Sequence, residues 1–99
     1  MTVEYPAMSE PNVTKYIVKC YRQTPGDAGC GDVPAFVEDG EEHMADMLEQ
    51  VGHLLLAFHD DENRPENRKP LFAHLEDEQG HIAARIRIAG PGRVERVSH

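Results

Sequence analysis

The feature that most constrains the fold is an alternating apolar pattern from Pro70 to Ile88, interrupted by the turn Asp77-Glu78-Gln79-Gly80. With Glu76 placed opposite His81, the apolar residues of both arms share one side, in the pairs Leu75–Ile82, Ala73–Ala84 and Leu71–Ile86. A slip of one residue would send the two apolar sets to opposite faces. The pattern therefore predicts a β-hairpin with one apolar face, which another element must cover.

The covering element is predicted to be a helix that ends near His59. Asp39 is the predicted N-cap, and Glu42 three residues later completes a capping box. Apolar residues then recur at helical spacing: Met44, Met47, Leu48, Val51, Leu54, Leu55 and Phe58. We expect Gly52 either to weaken this helix by about 1 kcal/mol or to permit a close approach to the sheet.

Two more strands are predicted before the helix, at residues 14–23 and 33–38. Pro34 cannot donate to a ladder, so the second strand is expected at a sheet edge. The order predicts a two-layer ββαββ α+β sandwich, a mainly antiparallel sheet with one amphipathic helix packed on one face. In this core Met44, Leu48, Val51, Leu55 and Phe58 would pack on Val18, Leu71, Ala73, Leu75, Ile82, Ala84 and Ile86.

The 99 residues are enough for a single domain. We expect a flexible arm at 1–13, the α+β domain at 14–89, and a tail at 90–99 that is either flexible or a frayed last strand. No apolar run approaches the ~18 residues of a membrane helix and no secretory signal is visible, so a cytoplasmic protein is expected. Cys20 and Cys30 are predicted to be reduced thiols, with a disulfide between them as the alternative.

The charge of the chain is unevenly distributed. The net charge is −8, and residues 38–62 contain nine acids and no Lys or Arg. Residues 63–99 hold seven Lys or Arg against five acids. On the helix, Glu42, Asp46, Glu49 and His53 form one polar stripe. This stripe is interpreted as a docking surface for a basic protein, as a divalent-metal site, or as the solvated side that every amphipathic helix has.

The sheet face that the helix leaves open is predicted to carry cations interleaved with apolar and aromatic groups: Lys15, Ile17, Lys19, Tyr21, Phe72, His74, Arg85 and Arg87. Such a mixture is typical of platforms for single-stranded nucleic acids. The same face could equally be solvated, or it could stack against a second copy of the chain in a homodimer.

Signals for catalysis and metal binding are weak. His74, Glu76 and His81 share a face of the hairpin and could bind zinc, although simple cross-strand pairing of Glu76 with His81 is the favoured interpretation. Cys20 is expected to be buried and unreactive, and Asp27 and Asp32 are expected to raise the pKa of Cys30. Motifs for a nucleophile or a phosphate loop are missing from the sequence. We therefore expect no enzymatic activity, no cofactor and no metal.

The leading functional hypothesis is a non-enzymatic protein–protein interaction module: a small acidic adaptor, inhibitor or regulatory subunit that uses the anionic helix face. Its charge density could also imitate that of a nucleic acid. The alternative hypothesis is single-stranded nucleic-acid binding through the open sheet face, and a membrane is not expected as a partner.

Overall fold

The computed structural model describes residues 12–97, which form a five-stranded antiparallel sheet with one α-helix packed on it. The elements in chain order are β1 (Val13–Tyr21), β2 (Val33–Glu38), α1 (Glu41–His59), a short 3-10 helix (Glu66–Arg68), β3 (Phe72–Glu76), β4 (Ile82–Gly90) and β5 (Arg93–Arg96). The predicted two-layer α+β architecture is confirmed, with one strand more than expected. Most of the predicted arm, residues 1–11, lies outside the described residues, as do residues 98 and 99.

The strand order across the sheet is β2-β1-β3-β4-β5. Both β2 and β3 run antiparallel to β1, so they run parallel to each other and α1 is the crossover between them. Pro34 lies in the edge strand β2, as its missing N–H predicts. Strand β5 forms the other edge and falls within the segment 90–99, where a last strand was one of the two expectations.

The hairpin register differs from the prediction by two residues, although most of the face assignment is right. The turn is closed by the Asp77 N–H, which donates to the His81 carbonyl at 2.8 Å, so Glu76 pairs with Ile82 rather than with His81. A β-bulge then leaves Ala83 unpaired, and Leu75 faces Ala84 while Ala73 faces Ile86. The turn shifts the register by one residue, and the bulge shifts it by one more. Because side chains alternate between the two faces, a total shift of two leaves Ala84 and Ile86 on the helix side, as predicted.

Ile82 is the residue that this double shift displaces. It precedes the bulge and therefore lies on the open face, 37% exposed, instead of packing under the helix as predicted. The predicted pairs Leu75–Ile82, Ala73–Ala84 and Leu71–Ile86 are wrong for the same reason.

The helix begins later than predicted and without a side-chain cap. Gly40, not Asp39, is the N-cap residue, and its carbonyl accepts the first helical hydrogen bond from the Met44 N–H at 3.1 Å. Asp39 instead continues the β1–β2 ladder: its N–H donates to the Asn12 carbonyl at 2.9 Å, and its carboxylate accepts from the Thr14 hydroxyl. Asp39 therefore hydrogen-bonds with the sheet, although the local sequence predicts that it caps the helix. The end of α1 at His59 agrees with the prediction.

The core lies between α1 and the covered face of the sheet. From the helix, Leu48, Val51 and Leu55 are buried. They pack with buried sheet residues that include Val18, Ala73, Leu75, Ala84 and Ile86. Gly52 is also buried. The helix lies so close to β5 here that a Cβ at this position would be only 2.9 Å from Val94 Cγ2. Of the two expectations for Gly52, the structure therefore supports the close approach to the sheet.

Candidate functional site

The predicted stripe of α1 is exposed along its whole length. Glu42, Asp46, Glu49 and His53 all lie on the solvent side, opposite the buried Leu48, Val51 and Leu55. Spacings of four, three and four residues stack these side chains along one face of a helix. We call the four residues the anionic helix face. Within residues 12–97 the one ion pair made by this face is between Glu42 Oε1 and His43 Nε2, at 3.7 Å.

Acidic groups also flank both ends of the anionic helix face. Glu38, Asp39 and Glu41 are exposed at the start of α1, and Asp60 and Glu62 are exposed just after its end. No Lys or Arg occurs between residues 38 and 62 to offset them. The result is one continuous negative surface along the helix layer, whose field would attract a basic partner and repel a nucleic acid.

On the open sheet face, two of the four predicted Lys and Arg side chains are engaged with carboxylates. Lys19 Nζ lies 3.4 Å from Glu76 Oε2, and the Arg87 guanidinium forms an ion pair with Glu95. Lys15 is exposed and sits opposite Phe36 in the β1–β2 ladder. Ile17 and Phe72 are half-buried. The residues predicted for this face do lie on it. Lys19 and Arg87 are paired, whereas Lys15 and Arg85 have no carboxylate partner among residues 12–97.

The centre of the open face holds a buried polar network that the sequence did not reveal. His74 is only 3% exposed and Tyr21 only 4%. His74 Nδ1 lies 2.9 Å from the Tyr21 hydroxyl, and His74 Nε2 lies 3.0 Å from Glu76 Oε2. The Tyr21 ring also stacks on Phe72 with centroids 5.9 Å apart. We call Tyr21, His74 and Glu76 the polar triad.

The charges around the triad fix its hydrogen-bond directions. Hydrogen bonding from His74, with the nearby charge of Lys19, holds the pKa of Glu76 below its usual range, so this carboxylate is ionised and accepts the Nε2–H. In a neutral imidazole that donates through Nε2, Nδ1 is the acceptor. Burial raises the pKa of Tyr21, while the neighbouring positive charge of Arg85 opposes the rise, so the phenol stays protonated and donates to Nδ1.

A shallow groove of about 310 Å³ lies over the triad. Its lining combines the triad with apolar and loop residues: Gln23, Pro25, Phe72, Gly80, Ile82 and Arg85. Pro25 reaches the groove because the loop after β1 turns back to bridge Tyr21. Of the site residues predicted for the open face, the groove unites Tyr21, Phe72, His74 and Arg85. Glu76 was expected on this face, but as a partner of His81 or a zinc ligand. Ile82 was expected under the helix, and no sequence pattern indicated that Pro25 reaches this face.

The predicted pairing of Glu76 with His81 is wrong. His81 is exposed and lies 3.7 Å from Asp77 through Nδ1, while Glu76 pairs with His74 and Lys19. The His74-Glu76-His81 arrangement considered for zinc is therefore not assembled. Over the part of the chain that the structure describes, no three His, Cys, Asp or Glu side chains are grouped closely enough to hold a metal ion.

The two cysteines are free and buried. Burial, followed by the charge of Cys30, raises the pKa of the Cys20 thiol to about 12. The pKa of Cys30 is raised as predicted, but the larger cause is burial, with Asp27 adding to it and Arg64 opposing it. Neither thiol is ionised near neutral pH, so neither is a good nucleophile.

Three comparisons of this chain with known proteins add nothing to these assignments. No family model matches it, and searches of curated proteins and of solved structures give no significant match. Among residues 12–97, no helix has both the length and the apolar character needed to cross a membrane.

Proposed function

We propose that this protein is a non-enzymatic interaction module whose anionic helix face docks on a basic surface of another protein. An adaptor, an inhibitor and a regulatory subunit would all fit this description, including one that imitates the charge of a nucleic acid. The observation that carries the proposal is the exposed stripe Glu42, Asp46, Glu49 and His53, within a stretch that has no Lys or Arg.

The anionic helix face is suited to docking because, apart from the contact of Glu42 with His43, its charges are not engaged within the described residues. Asp46 and Glu49 make no ion pair with any residue from 12 to 97, and the helix beneath them is anchored by Leu48, Val51 and Leu55. A rigid helix presents its carboxylates without losing much backbone freedom on binding. Complementary charge then speeds the encounter with a basic partner and selects against acidic ones.

The alternative function, single-stranded nucleic-acid binding through the open sheet face, has weaker support. Lys19 and Arg87 already pair with Glu76 and Glu95, so binding phosphates would require breaking these pairs. Tyr21 is buried, which leaves its ring unable to stack on a base without rearrangement. The alternative stays a prediction, and a fluorescent oligonucleotide titrated at low salt tests it.

The docking proposal is tested by capture with charge-reversed variants. The immobilised protein is expected to capture a basic protein from an extract of its source cells, and the variant Glu42→Lys/Asp46→Lys/Glu49→Lys is expected to lose it. Interface charge reversals place like charges together and cost several kcal/mol, which corresponds to a loss of about 100-fold or more in affinity. The captured protein is identified by mass spectrometry, and its affinity for both forms is measured by titration calorimetry.

A matched control uses three exposed acids that lie outside α1 and its acidic flanks, in Asp32→Lys/Glu66→Lys/Glu78→Lys. Both triple variants change the net charge from −8 to −2, so a loss confined to the helix variant identifies the surface rather than the total charge. Equal loss in both variants, or binding that survives reversal of the helix acids, would show that the anionic helix face is not the docking surface.

Self-association through the open face stays a second prediction. The apolar group most exposed there is Phe36, at 64%, on the edge strand β2 opposite Lys15. We expect a dimer that the substitution Phe36→Ser weakens. Light scattering that gives 11.1 kDa, the mass of one chain, at high concentration would contradict it.

A further inference from the structure

The groove on the open sheet face has apolar walls around a polar floor. Phe72, Ile82 and Pro25 supply the walls, while Tyr21, His74 and Arg85 supply polar atoms. Its volume of about 310 Å³ lies at the lower end of the range for sites that bind small molecules. Apolar lining with a few fixed polar groups is also the usual composition of such sites.

The groove carries a net positive charge among the described residues, and that charge is on Arg85. The carboxylate of Glu76 is balanced by Lys19 at 3.4 Å and accepts a hydrogen bond from His74. No carboxylate of residues 12–97 pairs with Arg85, and its buried Nε donates no hydrogen bond there. On the same face, Arg87 two residues along β4 is paired with Glu95. Arg85 is thus the guanidinium of this face that has no anionic partner among the described residues.

The polar triad keeps the surroundings of Arg85 fixed. The Tyr21 O–H and the His74 Nε2–H are both committed, to His74 and Glu76 respectively, so neither side chain is free to turn away. Because Tyr21 lies on β1 and His74 lies on β3, their hydrogen bond holds these two strands together at the floor of the groove. Arg85 also hydrogen-bonds the Tyr21 hydroxyl, but no carboxylate among residues 12–97 pairs with its guanidinium. A guanidinium without an anionic partner beside a fixed floor is a preorganised site for an anion.

We propose that the groove binds a small organic carboxylate, with the carboxylate on the Arg85 guanidinium and an apolar body between Phe72 and Ile82. The planar guanidinium fork matches a carboxylate with two parallel hydrogen bonds. The apolar walls favour a ring or a short aliphatic chain over a bare inorganic anion. This site is independent of the docking function of the anionic helix face, since the two surfaces lie on opposite layers of the fold.

Sodium benzoate is the probe for this proposal, with uncharged benzamide and inorganic phosphate as comparisons. In two-dimensional ¹H–¹⁵N NMR, benzoate is expected to shift the amide signals of Tyr21, Phe72, His74 and Arg85 and the Nε–H signal of Arg85. Benzamide lacks the negative charge and phosphate lacks the apolar body. Each is therefore expected to bind at least about tenfold more weakly than benzoate, a difference of about 1.4 kcal/mol.

Two arginine variants provide the matched pair. Arg85→Gln is expected to weaken benzoate binding by about tenfold or more, while Arg87→Gln, on the same strand and face, leaves it within about twofold. The same spectra report whether each variant is folded, and Arg85→Lys, which retains the charge without the fork, serves if Arg85→Gln unfolds. The proposal is overturned if benzoate at about 20 mM shifts none of the groove signals, which would mean a binding free energy weaker than about 2–3 kcal/mol. It is also overturned if benzamide binds as tightly as benzoate, or if Arg85→Gln and Arg87→Gln change benzoate affinity to the same extent.

Discussion

Asp27 shows how one side chain can organise a loop. Its carboxylate accepts hydrogen bonds from three successive backbone N–H groups, those of Arg22, Gln23 and Thr24, at 2.7, 2.8 and 3.1 Å. These bonds, that of Arg22 first, hold the pKa of Asp27 below its usual range. The loop that they fix carries Pro25, which forms one end of the groove on the open face.

The pH dependence of stability follows from the sign of this shift. A carboxyl group whose pKa is lower in the folded than in the unfolded state stabilises the fold above its unfolded pKa of about 3.9. That contribution is lost as the pH falls through the lowered folded pKa. We therefore expect Asp27→Asn to reduce the urea midpoint at pH 7, and the difference from the unmodified protein to shrink in acid, as the pH falls below about 3.9 and through the lowered folded-state pKa.

Asp32 is the control for this measurement, because it is an exposed acid just beyond the same loop and makes no hydrogen bond within residues 12–97. Asp32→Asn should leave the urea midpoint nearly unchanged both at pH 7 and in acid. A midpoint for Asp27→Asn that matches the unmodified protein at pH 7 would mean that the three N–H contacts do not stabilise the folded state.

At the scale of elements, the approach of α1 to the sheet is set by a residue that local propensity disfavours. Gly52 lowers helix stability relative to alanine by about 1 kcal/mol when considered alone. In the folded protein it lies against Val94 of β5, with no room for a methyl group. Burial of the helix face against β4 and β5 thus offsets a local cost in helix formation.

The substitution Gly52→Ala tests which effect is larger. Overpacking typically costs about 1–3 kcal/mol, so we expect a net destabilisation of about 1 kcal/mol despite the better helix propensity of alanine. Chemical denaturation gives the free energy of unfolding of Gly52→Ala, Val94→Ala and the double variant, which together form a double-mutant cycle. Gly52→Ala should cost much less in the Val94→Ala background than in the unmodified protein, because the clashing side chain is shorter. Stabilisation by Gly52→Ala alone would show that propensity dominates over packing here.

The hairpin β3–β4 shows why the periodicity of an element does not determine its register. Alternation correctly placed Ala73, Leu75, Ala84 and Ile86 on the helix side. It could not reveal that the turn closes between Asp77 and His81, with Gly80 at a φ of +87°, or that Ala83 is bulged. Both details belong to the backbone geometry of the turn, and together they move Ile82 to the groove.

At the scale of the whole molecule, the separation of charge makes stability depend on salt. The nine acids between residues 38 and 62 have no Lys or Arg among them, so they repel one another along the helix layer. Raising NaCl from 10 mM to 300 mM shortens the screening length from about 30 Å to under 10 Å. We therefore expect the free energy of unfolding to increase with salt, by roughly 0.5 kcal/mol or more.

The charge-reversed variant Glu42→Lys/Asp46→Lys/Glu49→Lys should show a flatter salt dependence, because its helix carries both signs of charge. Urea titrations at the two salt concentrations measure this for both proteins. If salt instead destabilises the unmodified protein, attractive pairs such as Lys19–Glu76 and Arg87–Glu95 outweigh the repulsion.

The sequence by itself determined the types of element, their approximate limits and most of their buried faces. Period-two alternation in the strands and 3.6-residue periodicity in α1 are local properties, so they can be read from short segments. The edge position of β2 was equally local, since the missing N–H of Pro34 is a covalent property. The exposure of Glu42, Asp46, Glu49 and His53 followed from the buried face opposite them.

Only the tertiary structure decided which residues meet. The triad joins Tyr21 to His74, 53 positions apart, through a β1–β3 pairing that no local pattern encodes. The same pairing neutralises Lys19 with Glu76, and the β1–β2 ladder draws Asp39 away from the helix that it was expected to cap. Contacts of this kind depend on strand order and register, which the chain fixes through its turns, its bulge and the packing of the assembled core.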